Sequence, residues 1–210
     1  MASAKALEAQ WAEARDRLVA KKLLAGNGAS LSVRCPGRTS MWFAAANDDA
    51  PALLDWNPAA GDAVVHARTY ARRADIGAIA RGGGPFGLCL ANFGGLLPQV
   101  FDEQARHIGP MPGAVDSENG LEMALGTPGS ALILREAPLL WGTTPRRLAL
   151  NAELFEKCAK AYVLAIATGG RVRPLPWWVR RIANGRLAKD QRAAALAFER
   201  GEQPVESKGY

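Results

Sequence analysis

Histidine and cysteine are both scarce: the 210 residues include two histidines, His66 and His107, and three cysteines, Cys35, Cys89 and Cys158. Two histidines exclude any metal centre built on three of them. The cysteines form no CxxC pair, and an odd thiol count closes no disulfide framework, so a reducing, cytoplasmic setting is expected. Long apolar runs are missing as well. The longest clean stretch, Ala161 to Thr168, ends at Gly169 and Gly170, far short of the roughly 18 residues a bilayer span needs. The N-terminal region mixes Glu8, Glu13, Arg15, Asp16 and Arg17 into an amphipathic pattern and has no apolar centre of the signal-peptide kind.

What is present is ordinary globular usage, 49% hydrophobic and 22% charged, which excludes a disordered or collagen-like chain. The length suits one domain, or one domain and an appendage. The net charge of +6 is unevenly placed. Residues 171–210 hold nine Lys and Arg against four Asp and Glu, whereas the first 170 hold 17 against 16. A neutral body is expected at 1–170, followed by a basic helical extension at 171–210. Within the extension, RVRPLPWWVRR (171–181) sets Trp177 and Trp178 among arginines. Base stacking and a membrane surface both suit such a string. The interface reading, with an aromatic core and a basic rim, suits it better, so neither nucleic acid nor membrane is expected as a partner.

Residues 3–24 read as a helix, with Ser3 as N-cap, Leu7, Trp11, Ala14, Leu18 and Val19 at helical spacing, and Gly26 as the stop. From Ala29 to Ala46 the pattern becomes a hairpin around Pro36, Gly37 and Ser40. A helix over Asp62–Arg73 and an apolar strand over 76–80 follow, running into RGGGPFG (81–87). Residues 130–136 and 138–142 form a second strand pair, and Pro145 opens a long helix to Thr168. Two short helices are expected at Trp177–Ala183 and Ala188–Phe198. This order predicts a three-layer α/β/α sandwich with a mixed, largely antiparallel central sheet.

Several strings within residues 10–170 resemble the class II aldolase/adducin-head family. LSVR (31–34) is similar to the end of its G-N-x-S-x-R segment. The Asp62–Tyr70 helix and the strand after it resemble those leading into its H-x-H, and LILREAPLLWG (132–142) resembles the strand pair that carries its third histidine. The resemblance implies a divalent metal, usually zinc, on three histidines, with a Glu moving the proton that forms an enediolate. Here the three ligand positions fall on Arg81, Gly83 and Glu136, and the Glu position on Asp62. No cofactor is therefore expected. The family's phosphate-gripping positions read Ser30 and Ala46–Asn47. The resemblance also implies a homo-oligomer, most often a tetramer.

Two readings follow. In one, Asp62, Arg81 and Glu136 face a cleft walled by Gly82, Gly83 and Gly84, with Ser30 and Asn47 beside it. Arg81 and the glycine amides then receive a small carboxylated molecule, and Asp62 or Glu136 serves as acid and base in a metal-independent lyase reaction, carbon–carbon cleavage or decarboxylation. In the other, Arg81 and Glu136 close into a structural ion pair, and the chain is a non-catalytic oligomerisation or ligand-binding module like the adducin head. The glycines alone decide nothing, because GGGP matches no phosphate-binding fingerprint and glycine more often marks close backbone packing. His66 is expected to be an ordinary, partly buried helix residue and His107 an exposed loop residue. Cys89, Trp141 and Tyr162 are expected in the core, and Ser30 and Ser32 show no partners for a catalytic triad.

Overall fold

Successive residues along the central strands join two different cores, and the computed structural model, which describes residues 4–206, shows what lies between them. The elements run α1 (Ala4–Ala20), β1 (Ala25–Arg34), β2 (Ser40–Ala45), β3 (Ala52–Asp55), α2 (Ala63–Arg72), β4 (Ala78–Gly83), α3 (Pro85–Asn92), α4 (Asp102–His107), α5 (Glu118–Ala124), β5 (Ala131–Leu134), β6 (Ala137–Gly142), α6 (Pro145–Ala167) and α7 (Trp177–Glu199). The strands form one six-stranded sheet in the order β3-β2-β1-β4-β6-β5. Every neighbouring pair is antiparallel. Leu31, Val33, Ala78, Ala80, Ile133 and Leu140 join the core of α1 and α6, and the alternate residues Ile79, Leu132, Leu139 and Trp141 join that of α2 and α5. The result is the expected α/β/α sandwich.

Two side-chain devices fix the helices on the first face. Trp11 of α1 donates its indole N–H to the carbonyl of Leu31 at 3.0 Å, tying the helix to β1 while its ring fills the core. In α6, Thr144 accepts from the Arg147 N–H at 3.0 Å and Pro145 occupies the first turn, so the helix starts where its Leu148–Ala152–Phe155–Ala159 stripe meets the sheet.

The structure differs from the sequence reading in several elements. Ser3 lies outside the described residues. The first helix ends at Ala20, not near Gly26, because Lys22 takes the left-handed conformation (φ 56°). The Leu23 N–H then reaches the Leu18 carbonyl at 2.8 Å and the Lys22 N–H reaches Val19 at 2.9 Å, a complete Schellman stop. Gly26 belongs to β1. The strand expected over 76–80 spans Ala78–Gly83 and so takes in Arg81, Gly82 and Gly83. The two short C-terminal helices are one: Ala183, Leu187, Gln191 and Ala194 make a continuous buried stripe, which outweighs the roughly 1 kcal/mol helix penalty of Gly185. After α7 the chain turns back, Gln203 pairing with Gln10 and Glu206 reaching Thr144 and Arg147 at the start of α6. Among the described residues no helix is long and apolar enough to cross a membrane.

Phe155 is completely buried between α6 and the sheet. Phe155→Ala is expected to lower stability by about 3–5 kcal/mol, read from the midpoint of urea unfolding at unchanged m-value.

Candidate active site

The polar residues of the sequence pattern gather where β4 ends. Asp62 is the N-cap of α2, yet its side chain makes no cap hydrogen bond. Its Oδ1 instead accepts from Arg81 Nη1 at 2.9 Å. The Arg81 side chain is 12% exposed and that of Asp62 48%, so the pair lies at the surface end of a largely enclosed guanidinium. The contact uses one nitrogen of the fork. Arg81 Nε is buried with no hydrogen-bond partner among the described residues.

Gly28 was not singled out in the sequence reading, although the Gly-Asn-Gly string at 26–28 marks an irregular strand start. It sits at φ 68°, and a Cβ there would fall 2.5 Å from Arg81 Nη1 and 3.0 Å from Asp62 Oδ1. The guanidinium therefore packs against the Gly28 backbone, and only glycine leaves room for it. The β1–β4 register shifts between Ala25 and Ser30, and this irregularity carries Gly28 over the pair.

Behind Arg81 lies a buried polar chain that runs from β1 into α2. Ser30, directly opposite Arg81 on β1, donates to the Gly28 carbonyl at 3.1 Å and lies 3.1 Å from His66 Nε2. Ser32 lies 2.7 Å from His66 Nδ1 and 2.9 Å from the Tyr70 hydroxyl. Phe43 meets the imidazole edge-on and Trp56 stacks on Tyr70. His66 is thus fully buried, not partly so, and the two serines have a histidine partner that the sequence reading missed. The signal was there: His66 and Tyr70 are four apart on one helix face, and Ser30 and Ser32 are two apart on one strand face. Burial, and then the Arg81 charge, push the His66 pKa down to about 3. The imidazole is neutral, and burial likewise raises the Tyr70 pKa.

Glu136 is placed differently. With Arg135 (φ 56°) it forms the tight β5–β6 turn, exposed at the same end of the sheet. The closed Arg81–Glu136 ion pair does not form, and Asp62 is the partner of Arg81. Asn47 lies exposed in the turn after β2, beside Ala46, whose N–H bonds to the Ala29 carbonyl. The three glycines serve close packing. A Cβ at Gly82 (φ 111°) would fall 2.7 Å from the Ala25 carbonyl oxygen, one at Gly83 2.9 Å from Pro138 and one at Gly84 2.5 Å from the Glu156 carboxyl carbon. Glu156 was also missed: its two oxygens accept from the Phe86 and Gly87 N–H groups at 2.8 Å each, holding the amides that open α3.

Elsewhere, His107 is not an exposed loop residue. It ends α4 half-buried, with Nδ1 3.2 Å from Arg147 Nη1. Cys89 is exposed, because short α3 buries Gly87, Leu90 and Ala91 and turns Cys89 outward. Trp141 is buried in the second core, whereas Tyr162 is only partly buried and packs against the first.

No family model and no curated protein sequence matches the chain. Solved structures do. An L-fuculose 1-phosphate aldolase superposes with a TM-score of 0.75 at 19% identity, covering 90% of this chain and 98% of its own. The L-fuculose 1-phosphate aldolase of Glaciozyma antarctica PI12 gives 0.72 at 17%, covering 98% and 96%. An aldolase II superfamily protein of Pseudomonas syringae gives 0.67 at 13%, covering 94% of each. The chain has the class II aldolase fold. That fold implies a divalent metal, and the donor set here does not fit one. At the three resembling positions stand a guanidinium that carries its own charge, a glycine without a side chain and a turn carboxylate. Among the described residues no three His, Cys, Asp or Glu gather as a metal would require.

A neutral buried histidine also sets a pH dependence. Unfolded His66 takes up a proton below about pH 6.5, while the folded residue takes it up only near pH 3. Between these values the unfolded state holds more protons, so stability falls as pH falls. His66→Gln is expected to remove up to about 1.4 kcal/mol of that loss per pH unit, measured by urea titrations between pH 7 and pH 4.

Proposed function

We propose that the chain is a divergent, metal-independent aldolase-like lyase acting on a small carboxylated hydroxy or keto compound. The observation that supports this most is the single-point contact of Arg81 with Asp62, which uses Nη1 and leaves the Nη2 edge of the guanidinium outside the pair. A carboxylate or a developing enolate oxygen laid on that edge meets a fixed cation in a partly dehydrated setting, where charge stabilisation is strong. Arg81 would bind and orient. Asp62, held one hydrogen bond away and half in solvent, would take the hydroxyl proton as the carbon–carbon bond breaks and its electrons pass to the enolate. It would then return the proton to carbon, so the cycle balances without an added reagent. Glu136, on the neighbouring turn, would be a further carboxylate in reach of the same end, with Asn47 and the glycine backbone beside it, while Ser30, fully buried behind Arg81, would support the site without lining it.

The non-catalytic reading draws support from one observation: the α3 amides, an obvious anion seat, already hold Glu156. In either reading we place the chain in a homotetramer, with Trp177 and Trp178, 69% and 55% exposed in the single chain, in a subunit contact. Light scattering at micromolar concentration is expected to give a tetramer that Trp177→Asp dissociates; a wild-type monomer overturns this.

Thermal shift with pyruvate and glycolate, alongside product detection from a panel of hydroxy-oxo acids, tests the lyase. Wild type is expected to be stabilised by a carboxylate and to cleave at least one acid, and Arg81→Ala to lose the shift and about 100-fold or more in rate. Carboxylate binding without turnover supports the non-catalytic reading. No binding in wild type rejects the carboxylate site.

A further inference from the structure

The hydrogens of the buried chain can be assigned one by one. Ser30 has a single hydroxyl hydrogen, and it goes to the Gly28 carbonyl. At 3.1 Å from His66 Nε2, Ser30 Oγ must then accept, so Nε2 carries the imidazole hydrogen. Nδ1 is therefore the acceptor and takes the Ser32 hydrogen at 2.7 Å, and Ser32 in turn accepts from Tyr70 at 2.9 Å. Four hydrogens serve four contacts, all pointing from Tyr70 towards Gly28. The chain ends on a carbonyl oxygen, which takes no proton, so it is a brace and not a relay. It also leaves Ser30 without a hydrogen for any ligand.

We propose that His66 is a positioning residue: as a neutral imidazole with its hydrogen on Nε2, it locks Ser30 onto the Gly28 carbonyl and so fixes the glycine turn on which the Arg81 guanidinium lies. The proposal rests on the functional reading above for its consequence and on geometry alone for its mechanism. Arg81 Nε makes no hydrogen bond among the described residues, so one edge of the fork depends on packing to hold its direction. That packing is Gly28, whose conformation is irregular, left-handed and close enough to exclude a methyl group. Were the Nε2 hydrogen absent, Ser30 would be free to turn its own hydrogen to the ring and release Gly28. Were the ring protonated at Nδ1, Ser32 would meet donors in both His66 and Tyr70 and have no acceptor for its own hydrogen, and the brace would break at that point.

The test has a ligand-free arm and a ligand arm, each on the intact chain. Nitrogen–proton correlation spectra of the histidine rings at neutral pH are expected to show His66 protonated at Nε2; the Nδ1–H form overturns the proposal. The Arg81 Nε–H resonance, shielded in wild type, is expected to exchange faster in Ser30→Ala and His66→Met and to stay protected in His66→Gln, whose amide both donates and accepts. If Ser30→Ala leaves that resonance unchanged, His66 has no positioning role, whatever the chain binds. In the ligand arm, Ser30→Ala is expected to weaken pyruvate or glycolate by about tenfold well below its melting temperature, with His66→Gln near wild type. An affinity that is unmoved while stability drops marks a merely structural residue and overturns the proposal. If wild type binds no carboxylate, the functional reading falls, and the arginine resonance still decides the positioning.

Discussion

A guanidinium closed in at the end of a central strand must be compensated, and the surroundings of Arg81 are the consequences of that need. Asp62 gives its carboxylate to Arg81 and leaves the first turn of α2 without a side-chain cap. A cap of this kind is ordinarily worth about 1 kcal/mol, so the ion pair is formed at the expense of a local helix interaction. Gly28 has to be glycine, because a methyl group would overlap the charge it covers. His66, which the same positive field reaches, stays neutral, and its neutrality allows two serines and a tyrosine to be satisfied behind the sheet without a second buried charge. The uncapped Asp62 and the obligatory Gly28 thus have one source in Arg81, whereas the neutrality of His66 comes first from burial and only then from that charge.

Arginine at such a point brings different physics from a metal ion. A divalent cation stabilises an oxyanion from several directions through short bonds, whereas a guanidinium offers one charge spread over a plane with fixed donor directions. Its effect depends on orientation, which explains why backbone and brace are built so closely around it. A planar fork also matches a planar carboxylate better than a sugar hydroxyl, which is why the proposed ligand is a carboxylated compound.

The layered fold was legible in the sequence because its signals are local and regular: the α6 stripe, the alternation in LSVR, the short apolar run of β6 and Pro145 at the helix start each report one face or one end. The errors fall where tertiary packing overrides local chemistry. Lys22 ends α1 although Gly26 looked the better stop, and Gly185 sits inside α7 although glycine usually ends a helix. At the site, Asp62 and Arg81 were legible as charged residues at resembling positions, but Glu156 and Gly28 were not. Glu156 reaches the α3 amides across about 70 residues of chain, and nothing periodic in α6 distinguishes it from a solvated helix carboxylate.

Glu156 also bears on how such a site could keep a free anion. Besides the exposed Glu136, two carboxylates at this end of the sheet are already held, Glu156 on the α3 amides and Asp62 on Arg81, and they differ in what would displace them. The Glu156 carboxylate is held by two aligned amides at 2.8 Å and belongs to a long, well-packed helix, so a competing anion would have to break both bonds without moving α6. Asp62 is held at one oxygen on a half-exposed side chain at a helix start, where rotation into water costs little. An incoming carboxylate therefore meets a locked anion on the amides and a movable one on the guanidinium. On the proposed reading, that difference in tethering favours Arg81 over the helix as the seat of an exogenous anion.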